Sequence, residues 1–293
     1  MKADPQLLLS SLTLKQLEKF IDHPGHGILI SGPSGSGKTS VIDLLASNLL
    51  NIDAEKLETY PYIYRLILVP KTKNISIDSV REIDKFFGHA VPGHLAAGHI
   101  SRIVIIDDAE NLSLAAQNAL LKNLEEPPID STFLLSTSQP NQLLETLKSR
   151  LTTIRLAGVS KEEIKKFLIS RSIDDHAADT SIAMSGGIPG LAIALALNQT
   201  DHKLIKASET ARSILSANQH QKLIKINLLS KDPKLALDTI SILQQMARYS
   251  LETAEDEQSK RWQNVLKYSF EAEKRLNQKA NLRLTLTQLI LHI

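Results

Sequence analysis

Cysteine is missing altogether from the 293 residues, and aromatic side chains are scarce at six Phe, five Tyr and one Trp. Without thiolates the chain can build no disulfide framework, iron–sulfur cluster or Cys-based zinc module, so zinc is not expected and any metal must take oxygen or imidazole ligands. The same absence suits a reducing compartment. No apolar run approaches the ~20 residues that a bilayer-spanning helix needs. The opening MKADPQLLLSSLTLKQLEKF is broken by Asp4, Pro5 and polar residues, unlike a signal peptide. A soluble, cytoplasmic protein with no membrane partner is the expectation. A surplus of charge is lacking too: 34 Lys plus Arg face 32 Asp plus Glu, a formal net charge of +2. That balance, with 42% hydrophobic residues, excludes a disordered tail and a chain that coats nucleic acid with a dense basic stripe.

What is present changes in texture along the chain. Up to Ala157 there are 15 basic and 17 acidic residues, a net of −2; from Gly158 onward there are 19 and 15, a net of +4. In the first part short apolar runs, 27–31, 65–69, 102–107, 132–137 and 152–156, alternate with helical patterns over 39–50, 77–87, 114–126 and 143–148. Strands that are apolar without alternation and are separated by helices predict a parallel sheet covered on both faces, a three-layer α/β domain over 1–157. Beyond Leu156 the strand signal stops. Ser160 followed by Glu163 predicts a capping box, a turn is expected at Gly186 and Gly187, and helical periodicity is expected over 204–229, 235–254, 256–276 and 284–293.

Chemistry enters at Gly32-Pro33-Ser34-Gly35-Ser36-Gly37-Lys38-Thr39, a complete G-x-x-x-x-G-K-[ST] motif between the strand GILIS and a helix. Glycines let successive N–H groups face phosphate oxygens, and the helix N-terminus adds partial positive charge. Lys38 then reaches the β and γ phosphates and Thr39 offers its hydroxyl to Mg²⁺, so ATP with Mg²⁺ is the expected ligand. Farther on, Ile103-Val104-Ile105-Ile106-Asp107-Asp108 ends an apolar run in two carboxylates. Ligands bind at the C-terminal edge of such sheets. There Asp107 is expected to hold Mg²⁺ through water and Asp108 to activate a water.

Ser113 to Pro128, SLAAQNALLKNLEEPP, closely resembles the A-x-N-A-L-L-K-x-L-E-E-P-P segment of the bacterial AAA+ clamp-loader subunits of DNA polymerase III. TFLLSTSQPNQLLETLKSR (132–150) and KANLRLTLTQLIL (279–291) extend the resemblance over much of the chain. It implies a P-loop, RecA-like AAA+ domain over 1–157, a small helical lid over 158–200 and a helical collar over 201–293 through which subunits join. Such assemblies place a sliding clamp on primed DNA. The implied partners are therefore γ/τ- and δ-type subunits, the clamp, and DNA through the assembled complex. By the same resemblance Thr137 stands at the sensor 1 position, and Arg150, in Ser149-Arg150, is an arginine finger acting in trans on a neighbour's ATP.

Departures from that pattern point to the δ′ type. Asp108 is one methylene shorter than the family's Glu, Gly190 stands where motor subunits place the sensor 2 arginine, and neither the four-cysteine zinc module nor the V-G-Q box is present. A δ′-like subunit that binds ATP with weak or absent turnover is expected; the alternative is an ATP-hydrolysing γ/τ-type motor, and a free-standing P-loop kinase is a third reading. His89, His94 and His99 are spaced five apart, which suits a solvated loop better than a zinc site. Tyr60, Tyr62 and Tyr64 are read as edge packing, Trp262 as an anchor in the collar, and Lys260, Arg261, Lys267, Lys274, Arg275 and Lys279 as a solvated helix face.

Overall fold

Five parallel strands, β1 (Gly27–Ser31), β2 (Ile63–Leu66), β3 (Arg102–Ile106), β4 (Ser131–Thr137) and β5 (Thr152–Arg155), stand in the order β2-β3-β4-β1-β5 in the computed structural model. The structure describes residues 7–68, 72, 74–88, 100–156, 158–200, 202, 204–252, 256–278 and 280–293. The chain divides into two compact units, 1–158 and 159–293.

In the first unit β1 and β4 are buried along their whole length. Successive residues of a strand point to opposite faces, and the apolar runs serve both faces. Ile28 and Ile30 of β1 join Ile103, Ile105 and Leu134 against helices α1 (Ser11–Asp22) and α2 (Lys38–Leu50), through Leu17, Phe20, Val41, Ile42 and Leu45. Leu29, Val104, Ile106, Phe133 and Leu135 face the other way, onto helices α3 (Ile77–Phe87) and α4 (Leu114–Glu125), through Val80, Ile83, Ala116, Leu120 and Leu124. A short helix, α5 (Glu145–Lys148), leads into β5. Ser10, Ser76 and Ser113 cap α1, α3 and α4, each hydroxyl accepting from the backbone N–H three residues on.

The three-layer α/β expectation is met. β2 begins two residues before the expected run 65–69, whose last residue lies outside the described ones, and among the described residues it is an edge strand paired with β3: Leu66 pairs with Ile106, and β3 ends one residue before Asp107. Tyr64 lies on that edge and stacks near Phe86, with ring centroids 5.5 Å apart. Helix α1 was not anticipated.

Near the N-terminal ends of the strands, Arg102 Nη2 lies 2.5 Å from Asp130 Oδ1 and its Nε donates to Oδ2 at 3.2 Å, while Nη1 donates to the Phe87 carbonyl. Burial would raise the Asp130 pKa, but hydrogen bonds from Arg102 and Ser101 together outweigh it and hold the carboxyl below its ordinary value. A depressed folded pKa contributes stability above the unfolded value of about 3.9 and loses it as pH falls through the folded value. Asp130→Asn is therefore expected to cost about 2 kcal/mol at pH 7, with the gap from the parent closing progressively below about pH 4. Urea unfolding across that range checks it; a gap independent of pH would refute the ion-pair account.

The second unit is helical: α6 (Lys161–Ser170), α7 (Asp175–Ser185), α8 (Pro189–Ala196), α9 (Ile205–Ser216), α10 (Gln219–Leu229), α11 (Pro233–Leu251), α12 (Asp256–Asn277) and α13 (Leu282–Leu291). The capping box at Ser160 and Glu163 forms in both directions. The periodic stretch 204–229 is two helices rather than one. Asn218 ends the run by capping α10, accepting from Gln221 N at 2.9 Å while Gln221 returns the bond to Asn218 N at 3.2 Å. One apolar cluster runs from Ile188 and Leu191 through Ala211, Ile240 and Leu243 to Val265 and Leu289, with Trp262 packed against it. The Gly186–Gly187 turn closes α7 with both residues at positive φ, 63° and 75°. Lys260, Arg261, Lys267, Lys274 and Arg275 are exposed along α12; His89, His94, His99 and Lys279 lie outside the described residues. No described helix is long and apolar enough to cross a membrane.

Candidate functional site

Residues 32–39 connect the buried end of β1 to the first turn of α2, where the motif places them. Gly32 N donates to the Thr137 carbonyl, Ser36 N donates to the Pro33 carbonyl, and Gly35 and Gly37 have φ of 79° and 85°, a region in which a side chain would be strained. The loop therefore turns sharply into a helix whose first N–H groups carry no side-chain cap. That leaves the helix N-terminus suited to an anion.

Lys38 is buried and its ammonium donates to Gly32 O and Pro33 O at 2.9 Å and to Ser138 Oγ at 2.8 Å. Ser138 is held in turn, because its N–H donates to Glu110 Oε1 at 3.0 Å. The other oxygen, Glu110 Oε2, is buried with no hydrogen-bond partner among the described residues. Glu110 and Ser138 thus tie the turn after β3 and the end of β4 to the loop lysine. Neither was among the expected site residues. Their signal was position alone, three residues beyond Asp107 and one beyond Thr137.

Thr137 is fully buried and its hydroxyl accepts from Gln139 N at 3.1 Å, so in this turn it is Ser138 that meets Lys38. Asp108 has φ 49° and ψ 59°, and its N–H donates to Ser136 Oγ at 3.0 Å. A non-glycine residue in this region is uncommon, and the bond from β4 holds it there. β4 lies between β1 and β3, which is why residues 136–138 can touch both the loop and the acids.

Asp107 is placed at the end of β3 with its N–H bonded to Leu66 O, and one of its carboxylate oxygens, Oδ2, is engaged by Arg65. Oδ2 lies 3.0 Å from Arg65 Nε, with the two side chains 15% and 29% exposed, and Arg65 Nη2 reaches Asp43 Oδ1 of α2 at 2.5 Å. A dication about 4 Å from this guanidinium would meet a repulsion on the order of 8 kcal/mol at an effective dielectric constant near 20. With Arg65 in place the residues do not fit a Mg²⁺ ion on Asp107 Oδ2. Among the described residues no group of three or more His, Asp or Glu side chains forms a metal site.

Arg150 sits just before β5, at the N-terminal edge of the sheet. Its Nη1 donates to Thr146 O at 2.7 Å and its Nη2 lies 2.5 Å from Glu125 Oε1 at the end of α4.

Residues 11–160 match the family model described as DNA polymerase III, delta subunit. The chain belongs to that family. Within it, the chain is 32% identical over 187 residues to the DNA polymerase III subunit delta' of Escherichia coli (strain K12), covering 58% of this chain and 54% of that protein. A subunit tau of Bacillus subtilis (strain 168) is 28% identical over 191 residues, covering 59% and 32%. The chain spans about half the length of the curated delta' relatives that it matches. A solved structure of a DNA polymerase III gamma subunit-related protein from Thermotoga maritima shares the fold, with a TM-score of 0.51 at 21% identity over 95% of this chain and 97% of that one. The family's AAA+ fold, expected from the resemblance, is the one found.

The family segment 113–128 forms α4 and the turn after it, and its polar residues have structural tasks. Gln117, buried, donates to Leu112 O and Gln142 O and accepts from Leu144 N, which fixes the approach to α5. Asn123 donates to Asp84 of α3, and Glu125 holds Arg150.

Proposed function

We propose that this chain works as a δ′-type subunit of the DNA polymerase III clamp loader. In this reading it binds ATP at residues 32–39 and offers Arg150 to a neighbouring subunit while the assembly places the sliding clamp on primed DNA. Residues 158–200 act as the lid and 201–293 as the collar, and γ/τ- and δ-type subunits are the partners. The observation that carries the reading is the position of Arg150. β1 runs from Gly27, near the level of Arg150, to Ser31, just before the phosphate loop, and five strand residues span about 16 Å. Arg150 and the chain's own loop are thus at opposite edges of the sheet, which suits a guanidinium used on a neighbour's nucleotide. A planar cationic fork matches the charge on a phosphoryl group in transfer. Glu125 and the Thr146 carbonyl hold it ready at small entropic cost.

The test is reconstitution with γ/τ- and δ-type subunits. Arg150→Ala is expected to leave ATP affinity of the isolated chain unchanged while lowering ATPase activity of the assembled complex at least ~10-fold. Unchanged activity of the complex removes the finger. Weak turnover by the chain alone is expected, since Asp107 is engaged by Arg65 and Asp108 has a short arm. Brisk turnover that Lys38→Ala abolishes would instead favour a motor subunit of the γ/τ type.

A further inference from the structure

We propose that Arg65 is the resident cation of the phosphate site, so that this chain takes up a nucleoside triphosphate without a divalent ion held by the protein. The proposal rests on the nucleotide-binding reading above and deepens it. In P-loop proteins a metal links the loop's Ser/Thr hydroxyl to an acid at the end of a neighbouring strand. Here a guanidinium links the same two elements. Asp107, at the end of β3, is one anchor at 3.0 Å; Asp43, on α2, is the other at 2.5 Å. Asp43 stands four residues beyond Thr39 and so on the same face of α2. Arg65 comes from the edge strand β2, whose register with β3 pairs it with Ile105 and brings its side chain between the two acids.

A guanidinium keeps its charge at every accessible pH and offers a fork to two carboxylates at once. It supplies one positive charge permanently where a metal supplies two on loan. Arg65 engages one oxygen of each aspartate, Oδ1 of Asp43 and Oδ2 of Asp107, and its charge offsets one of their two negative charges at the place where a metal would do so. Nucleotide binding then becomes insensitive to free Mg²⁺. Removing Arg65 would leave Asp43 and Asp107 facing one another, a pair with the hard oxygen donors that a divalent cation accepts.

Wild type, Arg65→Gln, Asp107→Asn and the Arg65→Gln/Asp107→Asn double variant would be compared in two measurements. The first is ATP affinity in EDTA and in Mg²⁺; the second is Mn²⁺ uptake without nucleotide, read by the electron paramagnetic resonance of the free ion. For wild type and for Asp107→Asn the two ATP affinities are expected to agree within about threefold, whereas Arg65→Gln should bind at least about tenfold tighter with Mg²⁺. Arg65→Gln should also gain Mn²⁺ uptake that wild type and the double variant lack. Wild-type ATP binding that needs Mg²⁺ would overturn the proposal, as would Mn²⁺ uptake by Arg65→Gln no greater than wild type. If wild type binds ATP in neither buffer, the nucleotide reading falls, and the Mn²⁺ arm alone decides whether Arg65 holds the metal position. Should Arg65→Gln fail to fold, wild type and Asp107→Asn still decide: ATP affinities that do not depend on Mg²⁺ in both support the resident cation, and a dependence in wild type refutes it.

Discussion

Replacing Gly186 by alanine is expected to destabilise the second unit by about 3 kcal/mol or more, the sum of a left-handed backbone and an overpacked contact. Gly186 closes α7 at φ 63°, and its neighbour's N–H completes the turn by donating to the Ile182 carbonyl. An added Cβ would stand 2.7 Å from Met246 N and 2.9 Å from Gln245 C. Both are backbone atoms of α11, so no rotamer change can relieve the clash, and α7 would have to move off the helix that it packs against. Gly187 provides the control. It has a similar φ of 75°, but a Cβ there meets only Tyr249 Cδ2 at 3.4 Å, an ordinary contact. Gly187→Ala should therefore cost only the backbone component, about 1 kcal/mol. The sole Trp of the chain, Trp262, packs on the same core and reports urea unfolding of this unit by its fluorescence. Equal losses for the two variants would mean that the close approach to α11 carries no energy.

The second large effect is on ligand binding. Lys38→Ala should weaken ATP binding about 100-fold or more, because two hydrogen bonds to charged phosphate oxygens are each worth about 1.5–3 kcal/mol. The lysine's present partners explain why the loss must be measured against a stability control. Its ammonium is spent on Gly32 O, Pro33 O and Ser138 Oγ, so phosphate binding is an exchange in which those acceptors are given up or shared. Alanine removes both sets of bonds. A variant that melts like the parent yet binds ATP as tightly would show that the loop holds no phosphate through Lys38, and the assignment of ATP to residues 32–39 would fail.

How much could be read in advance depended on whether the information was local. β1, α3 and the phosphate loop were legible because each is declared by its own residues: an unbroken apolar run, a Ser cap with helical periodicity, and glycines at fixed spacing. The end of β2 was not, since an edge strand stops where its partner stops and β3 lies more than thirty residues away. The break at Asn218 was present in the residues, with Gln221 three positions on, but apolar periodicity on both sides masked it. Among the acids, Asp107 was found by its place at the end of an apolar strand. Its tie to Arg65 was invisible, because register between two strands decides it. Ser138 and Glu110 were missed for the same reason: they matter through contacts 28 residues apart, and no spacing rule announces them.

The strand order also sets a timetable for the ribosome. β1 is the earliest strand to be synthesised, yet its sheet partners are β4 and β5, with Gly27 paired to Phe133 and Ile28 to Thr152. At roughly 5–20 residues per second, translation leaves β1 waiting about 5–20 s before its first neighbour has even been made. During that interval Ile28, Leu29 and Ile30 have only the nearby helical segments to cover them, and the phosphate loop that follows has no β4 to lean on.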